Sequence, residues 1–233
     1  MQLFYADQLN PEAKEFLFSR EESKHIYKVL RKKEGDILHI TNGKGWLFTA
    51  IISFSTQNKC LVSIKKSEKQ PKRNYHLHLA VAPTKMNDRY EWFLEKATEI
   101  GVDEITPILC DHSERKVIKP ERFERILQSA LKQSQQFYLP KLHPMIPFSE
   151  FLKQKKDNPW YMAHCEDGDK KFLKDVLIPR SNYTILIGPE GDFSETEIQQ
   201  ALSQNIVPIS LGENRLRTET AAIVAAHGAA FVN

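Results

Sequence analysis

From His76 onward the chain alternates short apolar runs with stretches of helical period, and no other feature of its 233 residues restricts the fold as much. The runs are HLHLAVA (76 to 82), ITPILC (105 to 110), WYMAHC (160 to 165), YTILI (183 to 187) and IVPISL (206 to 211). Strands this uniformly apolar are covered on both faces, which is the habit of parallel sheets. Between them, NDRYEWFLEKATEIG puts Tyr90, Phe93, Leu94, Ala97 and Ile100 on one helical face, with Asn87 expected as N-cap and Gly101 as the stop. ERFERILQSALKQSQQF does the same with Phe123, Ile126, Leu127, Ala130 and Leu131. The succession predicts an α/β fold with a parallel sheet and helices on both sides.

The first seventy residues follow a different rule. DILHI (36 to 40), WLFTAIISF (46 to 54) and KCLVSI (59 to 64) are β-branched and aromatic, separated by the hairpin-suited turns TNGKG and STQN. A short helical stripe of Ile26, Val29 and Leu30 precedes them and ends near Gly35. The charged, aperiodic KSEKQPKRN (66 to 74) sets the expected boundary, giving domains 1–72 and 73–233. The front part holds 13 Lys or Arg against 8 Asp or Glu, although the whole chain is only +3. Two readings of that bias are open: a surface for a polyanion, or a solvated lysine-rich face. With 41% hydrophobic residues and no apolar stretch of membrane-spanning length, a globular protein without membrane partners is expected. Three scattered cysteines and a start without export features point to reduced thiols and a cytoplasmic location.

Two loops near the carboxyl end are unusual. Gly188-Pro189-Glu190-Gly191-Asp192-Phe193 follows a strand and leads into a helix with Ser194 and Glu197 at capping-box spacing and Ile198, Ala201 and Leu202 as its buried stripe. It is no phosphate cradle, because Glu190 and Asp192 place negative charge where a phosphate would sit. Carboxylates there suit hydroxyls, an amine or a cation; an ordinary strand-to-helix turn is the other reading. In ISLGENRLRTETAAIVAAHGAAFV, Arg215 and Arg217 bracket Leu216, Thr218 or Thr220 is expected to cap the last helix, and AAIVAAHGAAF demands enclosure on most sides. A structural ion pair of arginine with Glu219 is the plain explanation of that charge group. Cys110 with His112, and His164 with Cys165, lack zinc-ligand spacing, so no metal is expected. No G-x-S-x-G elbow is present to suggest hydrolysis.

IGPEGDFSETEI followed by LGENRLRTETAAIVA resembles the RsmE family, SPOUT-superfamily methyltransferases that modify a uridine imide nitrogen in small-subunit ribosomal RNA. HIYKVLRKKEGD, TNGKG, KMNDRYEWFLEKATEIGVDEITPILCDHSERKV and QSQQFYLP extend the resemblance over essentially the whole chain. Asp192 stands where a second glycine is frequent, and Lys132 and Gln136 where an acidic residue and an arginine are expected. The resemblance implies an N-terminal PUA-like β-barrel for RNA and a C-terminal SPOUT domain tied in a deep trefoil knot. It also implies a homodimer and S-adenosylmethionine held by Ile187, Gly188, Glu190, Gly191, Leu211, Gly212, Leu216 and Thr218. His164 to Glu166 are a weaker candidate for a third wall. Arg217 is expected to stabilise the uracil anion, with Glu219 orienting it or serving as base. Arg31, Lys32 and Lys33 are expected phosphate contacts, weighed against an exposed helix end. Arg115, in HSERKV, is either an RNA contact or part of a solvated connection. A non-catalytic RNA-binding dimer and a related methyltransferase acting on tRNA are the alternatives.

Overall fold

In the computed structural model, which describes residues 1–154 and 157–233, the chain divides into two units: Met1–Lys72 with Leu131–Leu139, and Arg73–Ala130 with Pro140–Asn233. The segment 131–139, which the sequence groups with the α/β part, belongs to the first of them.

That first unit is a five-stranded sheet in the order β1-β3-β4-β5-β2, made of β1 (Leu3–Tyr5), β2 (Glu15–Leu17), β3 (Ile37–Thr41), β4 (Trp46–Ser55) and β5 (Cys60–Lys69). The two expected hairpins pair antiparallel, and register shifts at Thr49/Ala50 and Ile52/Phe54 bend the long ribbon. The TNGKG turn is held by the returning segment: the Gly45 amide donates to the Phe137 carbonyl at 2.8 Å and the Leu139 amide to the Gly43 carbonyl at 2.9 Å. The helical stretch is α1 (Arg20–Lys24), capped by Ser19, continued by a π-helical turn over His25–Val29. The wider π turn breaks the expected stripe: Ile26 is buried, Leu30 half-buried, and Val29 is exposed.

The second unit is a sheet of the order β11-β13-β10-β12-β6-β7-β8, every pairing parallel. Its strands are β6 (His76–Val81), β7 (Glu104–Leu109), β8 (Lys141–Leu142), β10 (Trp160–Ala163), β11 (Lys171–Phe172), β12 (Asn182–Ile187) and β13 (Val207–Ser210), with β9 (Ile146–Pro147) pairing β7 off this path. The helices are α2 (Asn87–Ile100), α3 (Pro120–Ser134, whose residues from Leu131 on belong to the first unit), α4 (Phe148–Leu152), α5 (Leu173–Val176), α6 (Glu195–Ser203) and α7 (Thr218–Val232). On one face Ala80, Ala82, Met162 and Leu186 pack with Phe148, Phe151, Ile198 and Ala201 of α4 and α6. The alternate positions face the other way, where α7 lies on β6 and β12 beside α2 and α5. Gly101 ends α2 with φ 105°, and a Cβ there would stand 2.1 Å from an Arg73 nitrogen, so both the turn and the close approach require glycine.

Four details differ from the sequence reading. Asn87 is the first helical residue of α2, not its cap; Met86 holds the cap position without a side-chain bond. Likewise Arg217 precedes α7, with Thr218 inside it. Leu202 of α6 is exposed at 39%, because only Ile198 and Ala201 reach the core. Finally, α7 buries Ala222, Ala225, Ala226 and Ala229 but leaves Phe231 82% exposed, so one side of this apolar helix lacks the expected cover within the chain.

Candidate functional site

Strands β12 and β13 lie on opposite sides of β10, so the loops leaving all three carboxyl ends meet at one place, where open α/β sheets take their ligands. They surround a cavity of about 660 Å³. Ile187, Gly188, Glu190, Leu211, Gly212, Leu216, Arg217 and Thr218 all line it. So do Ala163, His164, Cys165, Lys170, Asp192 and Arg215. Of the residues expected to hold cofactor, Gly191 alone is absent from the wall; its Cα faces His112, whose Cβ a methyl group on Gly191 would approach to 3.0 Å.

The loop 188–192 is fastened from three directions. The Lys85 amide, just past β6, donates to Glu190 Oε1 at 2.9 Å. From the loop after β7, His112 Nδ1 sits 2.9 Å from the Gly191 carbonyl and 3.1 Å from that of Asp192. From the loop after β10, the Cys165 amide donates to Asp192 Oδ2 at 2.6 Å. Asp192 itself adopts φ 64°, the left-handed region that aspartate tolerates, and its Oδ1 accepts from the Phe193 amide at 2.8 Å. Behind the loop the expected capping box is complete: the Glu197 amide reaches Ser194 Oγ at 3.2 Å and the Ser194 amide reaches Glu197 Oε2 at 2.9 Å. Glu197 Oε1 also accepts from the Asp111 amide at 3.0 Å. Burial raises the Glu197 carboxyl above its ordinary value, opposed by these hydrogen bonds.

The walls are chemically mixed. Ile187, Ala163, Leu211, Leu216 and Ala221 give apolar surface. The Lys170 ammonium closes the β10 loop on the carbonyls of His164 (3.0 Å) and Glu166 (2.7 Å). Burial lowers the His164 imidazole below its ordinary value, with Lys170 acting the same way, and its Nδ1 is buried with no hydrogen-bond partner. Facing the cavity, that nitrogen can bond to a water or a ligand there.

The charged residues are arranged differently from expectation. Among the described residues the Arg217 side chain makes no hydrogen bond or ion pair, with Glu219 or any other group. Glu219 is buried and lies beside Arg89 of α2, its Oε1 3.9 Å from Nε, while Oε2 has no hydrogen-bond partner. Helix packing brings α2 to α7, and a distant arginine supplants the neighbouring one. Arg115 is engaged too: it donates from Nε to the Thr84 carbonyl at 2.9 Å and from Nη2 to the Lys85 carbonyl, pinning the loop after β6. Arg31 and Lys33 are exposed in the first unit, with Lys32 half-buried between them and Arg31 at φ 54°. Neither cysteine–histidine pair forms a group of three or more metal-type donors among the described residues.

Residues 71–229, which hold this sheet and its cavity, match the RNA methyltransferase domain family, and residues 18–65 match the RNA methyltransferase PUA domain family, so the class is that of an RNA methyltransferase. Ribosomal RNA small subunit methyltransferase E of Buchnera aphidicola (Acyrthosiphon pisum) is 33% identical over 91% of this chain and 86% of its own length. The corresponding Bacillus subtilis protein is 28% identical over 92% and 89%. The chain therefore belongs to the ribosomal RNA small subunit methyltransferase E family. Among solved structures, a probable rRNA-methyltransferase from Porphyromonas gingivalis superposes with TM-score 0.90 at 39% identity, covering 97% of this chain and 96% of that one. The Neisseria gonorrhoeae methyltransferase E bound to S-adenosylmethionine superposes with TM-score 0.87 at 26% identity, covering 97% and 95%.

Proposed function

We propose that this chain is an S-adenosylmethionine-dependent 16S rRNA (uracil-N3)-methyltransferase. The observation that carries the reading is the cavity at the ends of β10, β12 and β13, in a chain whose relatives include a structure with that methyl donor bound. The residues present fit such a group. Ile187, Leu211 and Leu216 offer apolar faces to an adenosyl ring, the backbone at Gly188 and Gly212 offers donors and acceptors for its edge, and Glu190 and Thr218 suit hydroxyls, while Gly191 lies outside the wall. The unpartnered His164 Nδ1 is a further polar contact. When bound, the sulfonium supplies an electrophilic methyl group.

The chain's own task is then the acceptor. A uracil imide is a poor nucleophile until it loses its proton, and a carboxylate of ordinary pKa near 4.3 is a weak base for it. Arg217, lining the cavity with its guanidinium unengaged, is the group to stabilise the anion at a uracil carbonyl. Glu219 acts with Arg89, holding α2 and α7 in place behind it.

The further parts of the reading are a barrel-like front module gripping ribosomal RNA phosphates through Arg31, Lys32 and Lys33, and a trefoil knot in the C-terminal chain. Arg115 pins the loop after β6 through the Thr84 and Lys85 carbonyls. A cytoplasmic homodimer covers the open side of α7, whose exposed Phe231 supports it. Two measurements test the function. Calorimetric titration with S-adenosylmethionine is expected to give saturable heat, and mass mapping of rRNA from a strain lacking the protein is expected to show one unmethylated uridine. No heat favours a non-catalytic RNA-binding dimer; a lesion in tRNA instead overturns the substrate.

A further inference from the structure

A second group of chemistry-bearing side chains lies at the other end of the sheet. His76 and His78 stand at the start of β6, Glu104 at the start of β7, and His143 just beyond β8. Strand register makes them neighbours: His78 pairs with Glu104, Glu104 with Lys141, and the His143 amide donates to the Ile105 carbonyl at 2.9 Å. By alternation His78 shares a face with Ala80 and Ala82, away from α7. One nitrogen or oxygen from each of His78, Glu104 and His143 lies within 4.8 Å of the others, and among the described residues no other group of three or more such donors does so.

The carboxylate is the centre of the cluster. Its Oε1 is 3.1 Å from His76 Nε2, and its Oε2 is in contact with His143 Nε2. The His78 ring is fixed by the edge of Phe151 (centroids 5.6 Å, 77°) and lies 5.5 Å from the His143 ring. His78 Nε2 is 2.7 Å from Oγ1 of the buried Thr106. Metal-bound imidazoles are oriented in this manner, through the nitrogen that does not coordinate. In the tautomer that donates from Nε2 to Thr106, Nδ1 keeps its lone pair for an ion.

We propose that His78, Glu104 and His143 bind one divalent transition-metal ion of the zinc type, which staples β6, β7 and β8. Two imidazoles and one carboxylate form a set of borderline hardness that suits zinc at about 2.0–2.2 Å, whereas magnesium and calcium prefer shells of oxygen alone. A fourth position remains for water or His76. Each donor comes from an adjacent strand or the residue directly after it, so the ladder sets their spacing before any ion arrives. Lys141, next in register, is exposed, which screens its charge. The site is structural and independent of methyl transfer, since it is built on β6, β7 and the residue after β8, whereas the cavity lies at the carboxyl ends of β10, β12 and β13.

The test uses full-length protein stripped with a chelator and titrated with Co²⁺ as a visible probe, then with Zn²⁺. The expected result is one equivalent of Co²⁺ with d–d absorption, displaced by Zn²⁺, and a higher melting temperature with Zn²⁺. His143→Ala and Glu104→Ala are each expected to weaken the metal at least about tenfold. His143 is partly exposed, so that variant is expected to fold, with circular dichroism as the check and unchanged S-adenosylmethionine binding as the control. Absence of stoichiometric binding to the wild-type chain overturns the proposal. So does binding that survives both His143→Ala and His78→Asn.

Discussion

The two glycine-bearing loops of the cavity differ in how they are held. Loop 188–192 takes bonds from Lys85, His112 and Cys165, one from each neighbouring loop. In loop 211–217 the side-chain fastening among the described residues is local: the Ser210 hydroxyl accepts from the Gly212 amide at 3.3 Å and donates to its carbonyl at 2.9 Å. Beyond that turn, no side chain from Glu213 to Arg217 makes a hydrogen bond or ion pair among the described residues. A rigid wall beside an unengaged arginine divides the labour: one loop is preorganised for a small ligand, and the other is free to meet a large one.

That contrast is broken most directly at Arg217. Arg217→Ala is expected to lower kcat by about 10² to 10³, the usual loss on removing a donor to a developing anion, while S-adenosylmethionine affinity stays within about twofold. Single-turnover methylation and calorimetry on the same preparation read both quantities. Equal loss of the two places the arginine in the structure of the pocket, and the loops then share one task.

A smaller effect is expected at Asp192. Asp192→Gly keeps the left-handed backbone and removes the carboxylate that ties Cys165 to the loop. A hydrogen bond to a charged group contributes about 1.5–3 kcal/mol, and partial exposure brings this toward the lower end. Donor affinity is therefore expected to fall about tenfold, with faster amide exchange at 164–168. An unchanged exchange rate there removes Asp192 from the account of rigidity.

Legibility in the sequence follows the range of the interaction. The strands were readable because apolar runs are local, and the capping box because Ser194 and Glu197 are one turn apart. The two loops were readable as motifs for the same reason. Their fastenings were not: Asp192 meets Cys165 only because β10 and β12 are paired, and Glu219 meets Arg89 only because α7 lies on α2. Local propensity also misplaced the start of α2. There the Thr84 hydroxyl donates to the Met86 carbonyl at 2.7 Å and Arg115 holds the backbone at 84 and 85, so tertiary bonds fix the entry and Asn87 has no cap to make. The front helix failed as a stripe because a π turn leaves no mark in a hydrophobic pattern.

Ser194 bears on the rigid half of the contrast from behind. Ser194→Ala removes the hydroxyl that accepts from Glu197 and donates to Asp111 Oδ2 at 2.6 Å. Loss of such a cap costs about 1 kcal/mol, which lowers the melting temperature of a chain this size by about 2–4 °C. Differential scanning fluorimetry with and without S-adenosylmethionine is the measurement. A shift that saturating donor abolishes ties the cap to the loop it supports; a shift that persists unchanged confines it to α6.

The smallest effect is expected from Glu190→Gln, and it asks what the rigid loop presents to its ligand. Glu190 Oε1 accepts from the Lys85 amide, and the residue also lines the cavity. A glutamine oxygen accepts the same bond and can accept from a ligand hydroxyl, so only the charge is lost. Charge roughly doubles the strength of such a bond, and at a half-exposed position solvent takes back much of that difference. Donor affinity is expected to fall no more than about threefold, whereas Glu190→Ala, which deletes the tie to Lys85, loses more. If glutamine costs as much as alanine, the carboxylate charge itself is being read by a cationic group of the ligand. The rigid loop then contributes electrostatics as well as shape.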